Sequence, residues 1–111
     1  ITPDAIKTSA GALLKIPVCK VSILKDTLDF LKNSGIQLVA CSEKGDTPLA
    51  NVKFNCPSAI IMGSEGRGIN PSTLKVVDAK AKLPLLGDIE SLNVSVACGA
   101  FLYEAVRQRL A

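Results

Sequence analysis

The sequence predicts an α/β fold built on a parallel sheet. Two mostly apolar segments, 36–41 and 58–62, have the length of buried strands, and each is followed by a polar or glycine-rich loop. Segments with helical periodicity alternate with the strands, at 22–33, 71–77 and 91–110. This alternation favours parallel pairing, because a connecting helix returns the chain to the edge of the sheet from which the next strand starts.

Local signals set the limits of the remaining elements. A helix is predicted at the N-terminus, where Thr2 or Asp4 can cap it. A short strand is predicted at 17–21 and a further strand at 79–85. Asn70 precedes a proline, and an N-cap followed by proline at the first helical position marks the start of a helix.

The last helix is the longest predicted element, and Ser91 is its predicted N-cap. Apolar or small residues recur along it at steps of four and three, which defines one helical face: Leu92, Val96, Gly99, Tyr103, Val106 and Leu110. The opposite face is hardly more polar, so we expect a second subunit or another part of the protein to cover one side. The alternative is a buried terminal helix in which Ser91 and Asn93 serve only as caps.

The length, composition and charge of the chain exclude several classes of protein. The chain has 111 residues, which is the size of one domain, and 48% of them are hydrophobic, which excludes disorder. No apolar run approaches the roughly 20 residues that span a bilayer. The net charge of +3, from 13 basic and 10 acidic residues, permits RNA binding without demonstrating it.

The cysteines indicate a reducing compartment. Four cysteines lie far apart in mostly apolar surroundings, with no C-x-x-C pair, and the sequence contains no histidine. This pattern argues against a zinc site and favours a cytoplasmic protein. The lack of histidine also removes Ser-His and Cys-His mechanisms.

A glycine-rich loop, Gly63 to Gly68, follows the apolar 58–62 strand. Open α/β sheets bind ligands at such positions, because backbone N–H groups gather there. The spacing G-x-x-G-x-G differs from both the dinucleotide fingerprint and the P-loop, so a nucleotide-binding oxidoreductase is disfavoured. The alternative is a tight turn in which Glu65 merely faces solvent.

Residues 60–69, together with 83–85 and 90–97, resemble the second and third motifs of the SpoU (TrmH-like) branch of the SPOUT RNA methyltransferases. The segments 8–12 and 102–109 are also similar to that family. The resemblance covers essentially the whole chain and is strongest to bacterial 23S rRNA guanosine 2'-O-methyltransferases.

This resemblance implies a parallel-sheet SPOUT fold with a C-terminal trefoil knot, in which the last helix forms part of an S-adenosylmethionine site. It implies four positions whose backbone holds the cofactor: Cys41, Gly63, Leu83 and Leu92. It implies three catalytic side chains near the reacting ribose: Glu65, Ser91 and Asn93.

The implied activity is S-adenosylmethionine-dependent 2'-O-ribose methylation of structured RNA, with rRNA expected first and tRNA second. A homodimer through the last helix is implied, with no membrane and no metal partner. The family's first motif, which carries an arginine, would lie upstream of Ile1. Residues 1–111 are therefore expected to be the C-terminal part of a catalytic domain, truncated at its N-terminus and inactive alone. The alternative is a non-catalytic RNA-binding or dimerisation module with the same fold.

Overall fold

The computed structural model describes residues 3–8, 10–64, 67–84 and 93–111. The helices in the described chain are α1 (Pro3–Thr8), α2 (Leu24–Asn33), α3 (Pro71–Leu74) and α4 (Val94–Leu110). The strands are β1 (Gln37–Cys41), β2 (Thr47–Pro48), β3 (Ser58–Ile61) and β4 (Ala79–Lys82). Short 3₁₀ turns lie at Ala12–Lys15 and Leu49–Asn51.

The strands form one parallel sheet in the order β2-β4-β1-β3, which confirms the predicted α/β class. Val39 in β1 pairs in register with Ile60 of β3 and with Ala79 of β4. Leu38, Val39 and Ala40 have no solvent exposure, so β1 is the buried centre of the sheet. The pairing also brings the carboxyl ends of β1, β3 and β4 to the same edge.

Helices cover the sheet around β1. Leu28 of α2 is buried, and α2 packs against β1. The helix α4 packs against β1 and β3. The main hydrophobic core joins sheet, loop and helix residues: Val39, Leu49, Val52, Phe54, Ala81 and Phe101.

The buried face of α4 is not the face that the periodicity selects. Ala97 and Phe101 are buried, whereas Tyr103 and Leu110 are 71% and 82% exposed. The apolar face that the periodicity defines therefore points away from the core, and a different side of the helix packs on the sheet. Both sides of this helix are apolar, so a 3.6-residue period cannot decide which side is inside.

The C-terminal end of α4 is fastened to the segment before β3. The Gln108 side chain accepts a hydrogen bond from the Phe54 backbone N–H at 2.8 Å and donates to the Val52 carbonyl at 2.7 Å. Arg109 donates from Nε to the Phe54 carbonyl at 2.9 Å and from Nη2 to the Cys56 carbonyl at 3.0 Å. These bonds satisfy main-chain groups of an irregular segment that pairs with no strand in the described part of the chain.

A charged group stiffens the same end of the helix. Arg107 Nε donates to Glu104 at 2.6 Å, and Gln108 Nε2 donates to it at 2.9 Å. The Arg107 hydrogen bond is the main reason why the pKa of Glu104 falls to about 2. Glu104 is therefore ionised at neutral pH and holds Gln108 in position for its backbone contacts.

Several local predictions change in the structure. Residues 17–21 form no strand and are exposed, because no neighbouring strand among the described residues pairs with them. The β3 strand, whose 58–62 segment is predicted to be a buried strand, is only half-buried, since it is at the edge of the described sheet. Asn70 caps α3 as predicted and accepts from the Ser72 N–H at 2.9 Å, but α3 ends already at Leu74.

None of the helices within the described ranges is long and apolar enough to cross a membrane.

Phe101 should be the residue on which the packing of α4 depends most. Phe101→Ala removes a ring that has no exposure, so the free energy of unfolding should fall by about 3–5 kcal/mol. Phe30→Ala is the matched control: this ring is 69% exposed, and the change should stay below about 1 kcal/mol. Urea denaturation followed by circular dichroism measures both, with Phe101→Leu as the milder variant. Equal losses at the two positions would contradict this packing.

Candidate functional site

The carboxyl edge of the sheet brings together three of the predicted backbone positions. Cys41 ends β1, Leu83 follows the last residue of β4, and Gly63 lies two residues beyond the end of β3. Because β1 lies between β3 and β4 and all three run in parallel, these positions are on neighbouring strand ends. Cys41 and Leu83 are half-buried and pack against the hydrophobic core.

Three other predicted site residues, Glu65, Ser91 and Leu92, lie outside the described residues. The structure therefore neither joins them to this edge nor separates them from it.

Asn93 is the N-cap of α4. Its Oδ1 accepts a hydrogen bond from the Ser95 backbone N–H at 2.8 Å, so the predicted cap at Ser91 is corrected by two residues. Serine and asparagine are both strong N-caps, and their order in the sequence could not show which one the helix uses. The Asn93 residue is exposed, and its amide nitrogen has no hydrogen-bond partner among the described residues.

The start of α4 lies beside the carboxyl edge. The helix packs against β1, and Cys98 in its second turn is close enough to Cys41, at the end of β1, to raise the pKa of that thiol. At the other end of the helix, Arg109 binds the Cys56 carbonyl, just before β3 begins. The helix thus runs opposite to the strands. Asn93 precedes Cys98 by five residues, which is about 7.5 Å along a helix axis.

Cys41 is a neutral group at this edge. Burial raises the pKa of its thiol, and negative charge on Cys98 or Glu43 raises it further. A thiol with a raised pKa is protonated at neutral pH and is a poor nucleophile. Cys41 therefore presents an apolar side chain and its backbone groups rather than a reactive thiolate.

The loop after β3 folds back closely on itself. Ser64 forms an antiparallel bridge with Gly68, and the Gly68 N–H donates to the Ser64 carbonyl at 2.9 Å. Gly68 has a φ of 68°, as the tight-turn interpretation requires. A Cβ on Gly63 would lie 2.6 Å from both the Gly68 Cα and the Ile69 nitrogen, so only glycine fits there.

Sequence reasoning did not single out Gly45. A Cβ at this buried position would lie 2.6 Å from the Lys80 carbonyl oxygen, so the loop after β1 is pressed against the backbone of β4. The Ser42 N–H extends the same contact by donating to the Ala81 carbonyl at 2.9 Å. The only sign of this close contact in the sequence is the single glycine within the polar 42–47 loop.

The described residues also form a surface depression outside the carboxyl edge. A polar surface depression is lined by residues 50–53, Asn55, Arg107 and Gln108, so it lies at the amino edge of the sheet, away from Cys41. The parts of the chain that the structure describes hold no group of three or more His, Cys, Asp or Glu side chains that could bind a metal ion.

Comparison with known proteins gives a consistent result. The SpoU rRNA Methylase family matches residues 1–103. Proteins named 23S rRNA (guanosine-2'-O-)-methyltransferase RlmB are 40% identical over 109 residues in Coxiella burnetii and 40% identical over 110 residues in a Burkholderia species. These matches cover 98% and 99% of this chain but 44% of each relative, so the chain spans less than half of their length.

The structure is also similar to solved structures. The SpoU methyltransferase AviRb from Streptomyces viridochromogenes, solved in complex with AdoMet, superposes with a TM-score of 0.89 at 30% identity. The match covers 97% of this chain and 45% of that one. The parallel-sheet α/β arrangement is therefore shared with a methyltransferase of this kind.

Gly63→Ala should destabilise the chain by about 1–3 kcal/mol, because the added methyl group must displace the backbone at Gly68. Gly99→Ala is the matched control: a Cβ there meets nothing within 4 Å, and alanine should stabilise α4 by up to about 1 kcal/mol. Thermal and urea denaturation measure both variants. A neutral Gly63→Ala would mean that the loop does not pack as described.

Proposed function

The chain belongs to the SpoU rRNA Methylase family, and from this premise we propose that it is the C-terminal part of an S-adenosylmethionine-dependent RNA 2'-O-ribose methyltransferase. The observation that supports this most is the meeting of Cys41, Gly63 and Leu83 at one sheet edge, beside the start of α4. Structured rRNA is the proposed substrate, in keeping with the names of the relatives.

The residues at this edge fit the proposed cofactor. Neutral Cys41 and half-buried Leu83 offer apolar surface, and the strand ends offer main-chain donors and acceptors. Such a surface suits an adenine ring, which needs apolar contact and a few hydrogen bonds. We propose that the backbone at Cys41, Gly63, Leu83 and Leu92 would hold S-adenosylmethionine.

When bound, S-adenosylmethionine supplies an electrophilic methyl group. The protein then has to orient the ribose 2'-hydroxyl and assist the loss of its proton. The Asn93 amide nitrogen has no hydrogen-bond partner within residues 3–8, 10–64, 67–84 and 93–111, so it can donate to an oxygen of the ribose while Oδ1 caps the helix. Glu65 and Ser91 are proposed to act beside it.

The complete enzyme is proposed to be longer than this chain. An upstream segment with a catalytic arginine would complete the site, so the 111-residue chain would bind the cofactor weakly and would not transfer a methyl group alone. A trefoil knot around α4 and a cytoplasmic location also form part of the proposal.

Asn93 variants of the complete enzyme test this mechanism. Asn93→Ala removes both the cap and the donor, and methyl transfer from labelled S-adenosylmethionine to 23S rRNA should fall on the order of 100-fold. Asn93→Asp keeps the cap acceptor and removes only the donor. It should lose activity to the same extent while its thermal unfolding stays like that of the wild type. A fully active Asn93→Asp variant would show that Asn93 only caps α4 and takes no part in methyl transfer.

Calorimetry provides the control for the same variants. Binding of S-adenosylhomocysteine should change less than about threefold, since Asn93 is assigned to the ribose rather than to the cofactor. Equal losses of binding and transfer would contradict that assignment. If the wild-type enzyme binds RNA but transfers no methyl group, the alternative of a non-catalytic RNA-binding module replaces the proposal.

We also propose that the exposed face of α4 is the interface of a homodimer. Val96, Tyr103, Val106 and Leu110 form a continuous apolar stripe there, and each is more than half exposed. Val96 and Tyr103 are seven residues apart and the following steps are three and four residues, which matches the seam along which two helices pack. A second copy of the chain offers the same stripe, so two α4 helices can bury it together.

Val106→Asp should convert the dimer into a monomer, because a carboxylate in an apolar seam is desolvated without a partner. Phe30→Asp, also at an exposed apolar position but on α2, should leave the mass unchanged. Sedimentation velocity at micromolar concentration separates the two. A wild-type monomer would refute the interface.

A further inference from the structure

The outer part of β4 carries an unusual pair of side chains for a parallel strand. Ala79 and Ala81 turn toward the core, and Ala81 has no exposure. Lys80 and Lys82 alternate with them and are both exposed, so they share the opposite face of the sheet. Parallel sheets are normally covered on both faces, and this face is open along β4 in the described part of the chain.

On that face of the sheet, the helix that covers the strands reaches β1 but not β4. Lys80 pairs in register with Ala40, which is completely buried, and α2 packs against β1. One strand further out, Lys82 pairs with the exposed Pro48 of β2. The change from a buried alanine to exposed lysines therefore occurs between adjacent strands.

A third lysine joins this pair through the loop after β1. Gly45 lies against the Lys80 carbonyl, and this contact places the backbone of the neighbouring, exposed Lys44 beside β4. We call Lys44, Lys80 and Lys82 the β4 lysine patch. Among the described residues, ion pairs form at Lys25, Lys32 and Arg107, and none involves the patch.

Acidic side chains near the patch leave it with a net positive charge. Glu43 and Asp46 flank Lys44 and Gly45 in the same loop, and the Asp46 carboxylate accepts from the Thr47 hydroxyl at 3.0 Å. Neither is paired with a patch lysine in the described structure. Three ammonium groups against two carboxylates favour an anionic partner.

The location indicates which anion. Lys82 directly precedes Leu83, which is one of the positions proposed to hold the cofactor. An RNA whose ribose reaches the carboxyl edge must bring its flanking phosphates near this part of β4. We propose that the β4 lysine patch binds the phosphate backbone of the substrate RNA beside the methylation site. This inference rests on the proposed function and adds the surface on which the substrate lies.

The test compares two doubly substituted enzymes with equal net charge. Lys80→Gln/Lys82→Gln removes the strand part of the patch. Lys53→Gln/Lys75→Gln removes two exposed lysines that precede β3 and β4 and therefore lie toward the amino edge. Filter binding of 23S rRNA transcribed in vitro is measured between 50 and 200 mM salt, and calorimetry with S-adenosylhomocysteine is done on the same proteins.

The patch variant should bind RNA roughly tenfold more weakly at 0.1 M salt, and the slope of log K against log salt should become shallower by about 0.7–0.9 for each lysine lost. Adding Lys44→Gln should reduce the slope once more. The control double variant should stay within about twofold of the wild type. Cofactor binding should be unchanged in all of them.

The outcomes separate this inference from the function on which it rests. Equally weakened RNA binding by both double variants would mean that only net charge matters, and it would overturn the proposal that the patch binds RNA. If the patch variant methylates RNA and binds it with unchanged affinity, the proposed role of the patch is wrong and the proposed function is unaffected. A wild-type enzyme that binds neither RNA nor cofactor would overturn both.

Discussion

The burial of β1 is the constraint on which the rest of the structure depends. Leu38, Val39 and Ala40 have no exposure, and their strand pairs on both sides, with β3 and with β4. A slip of one residue in either register would turn a buried side chain toward the other face. The register is therefore fixed by packing, and with it the side-by-side arrangement of the three strand ends that form the carboxyl edge.

The helix α4 connects that edge with the opposite one. Its middle enters the core through Phe101, while Gln108 and Arg109 bind the main chain before β3. The last turn thus anchors the helix at the amino edge, and its length places Asn93 at the other end of the sheet. The anchoring side chains are polar, so they fix the position of the helix by directional bonds that apolar packing alone would not provide.

Much of the fold could be predicted from local patterns, because the apolar runs of β1 and β3 and the cap at Asn70 are signals within a few residues. The errors arise where the answer depends on distant parts of the chain. Residues 17–21 have strand composition, but a strand needs a neighbour to pair with. The inner face of α4 could not be chosen from periodicity. The shape of the sheet alone decides that Phe101 fits the core and that Tyr103 stays outside it.

The candidate site was predictable to a different degree. Gly63 follows an apolar strand in a recognisable motif, and its steric need for glycine emerges only when Gly68 folds back on it. The cap at Asn93 instead of Ser91 depends on where α4 begins in three dimensions. Lys80 and Lys82 look like ordinary charged residues in the sequence, because the role proposed for them depends on a face of β4 that is open in the described part of the chain.

The carboxyl edge divides recognition between main chain and side chains in a way that follows from the sheet itself. Positions such as Cys41 and Leu83 must be apolar to pack on the core, so the polar groups they can offer to a ligand are those of the backbone. Backbone contacts depend on strand register rather than on side-chain identity. Charge can therefore be added only where packing ends, and on β4 that point is one residue before Leu83, at Lys82. The proposed surface for a polyanion therefore lies beside the proposed cofactor site, at the point where the sheet changes from buried to open in the described part of the chain.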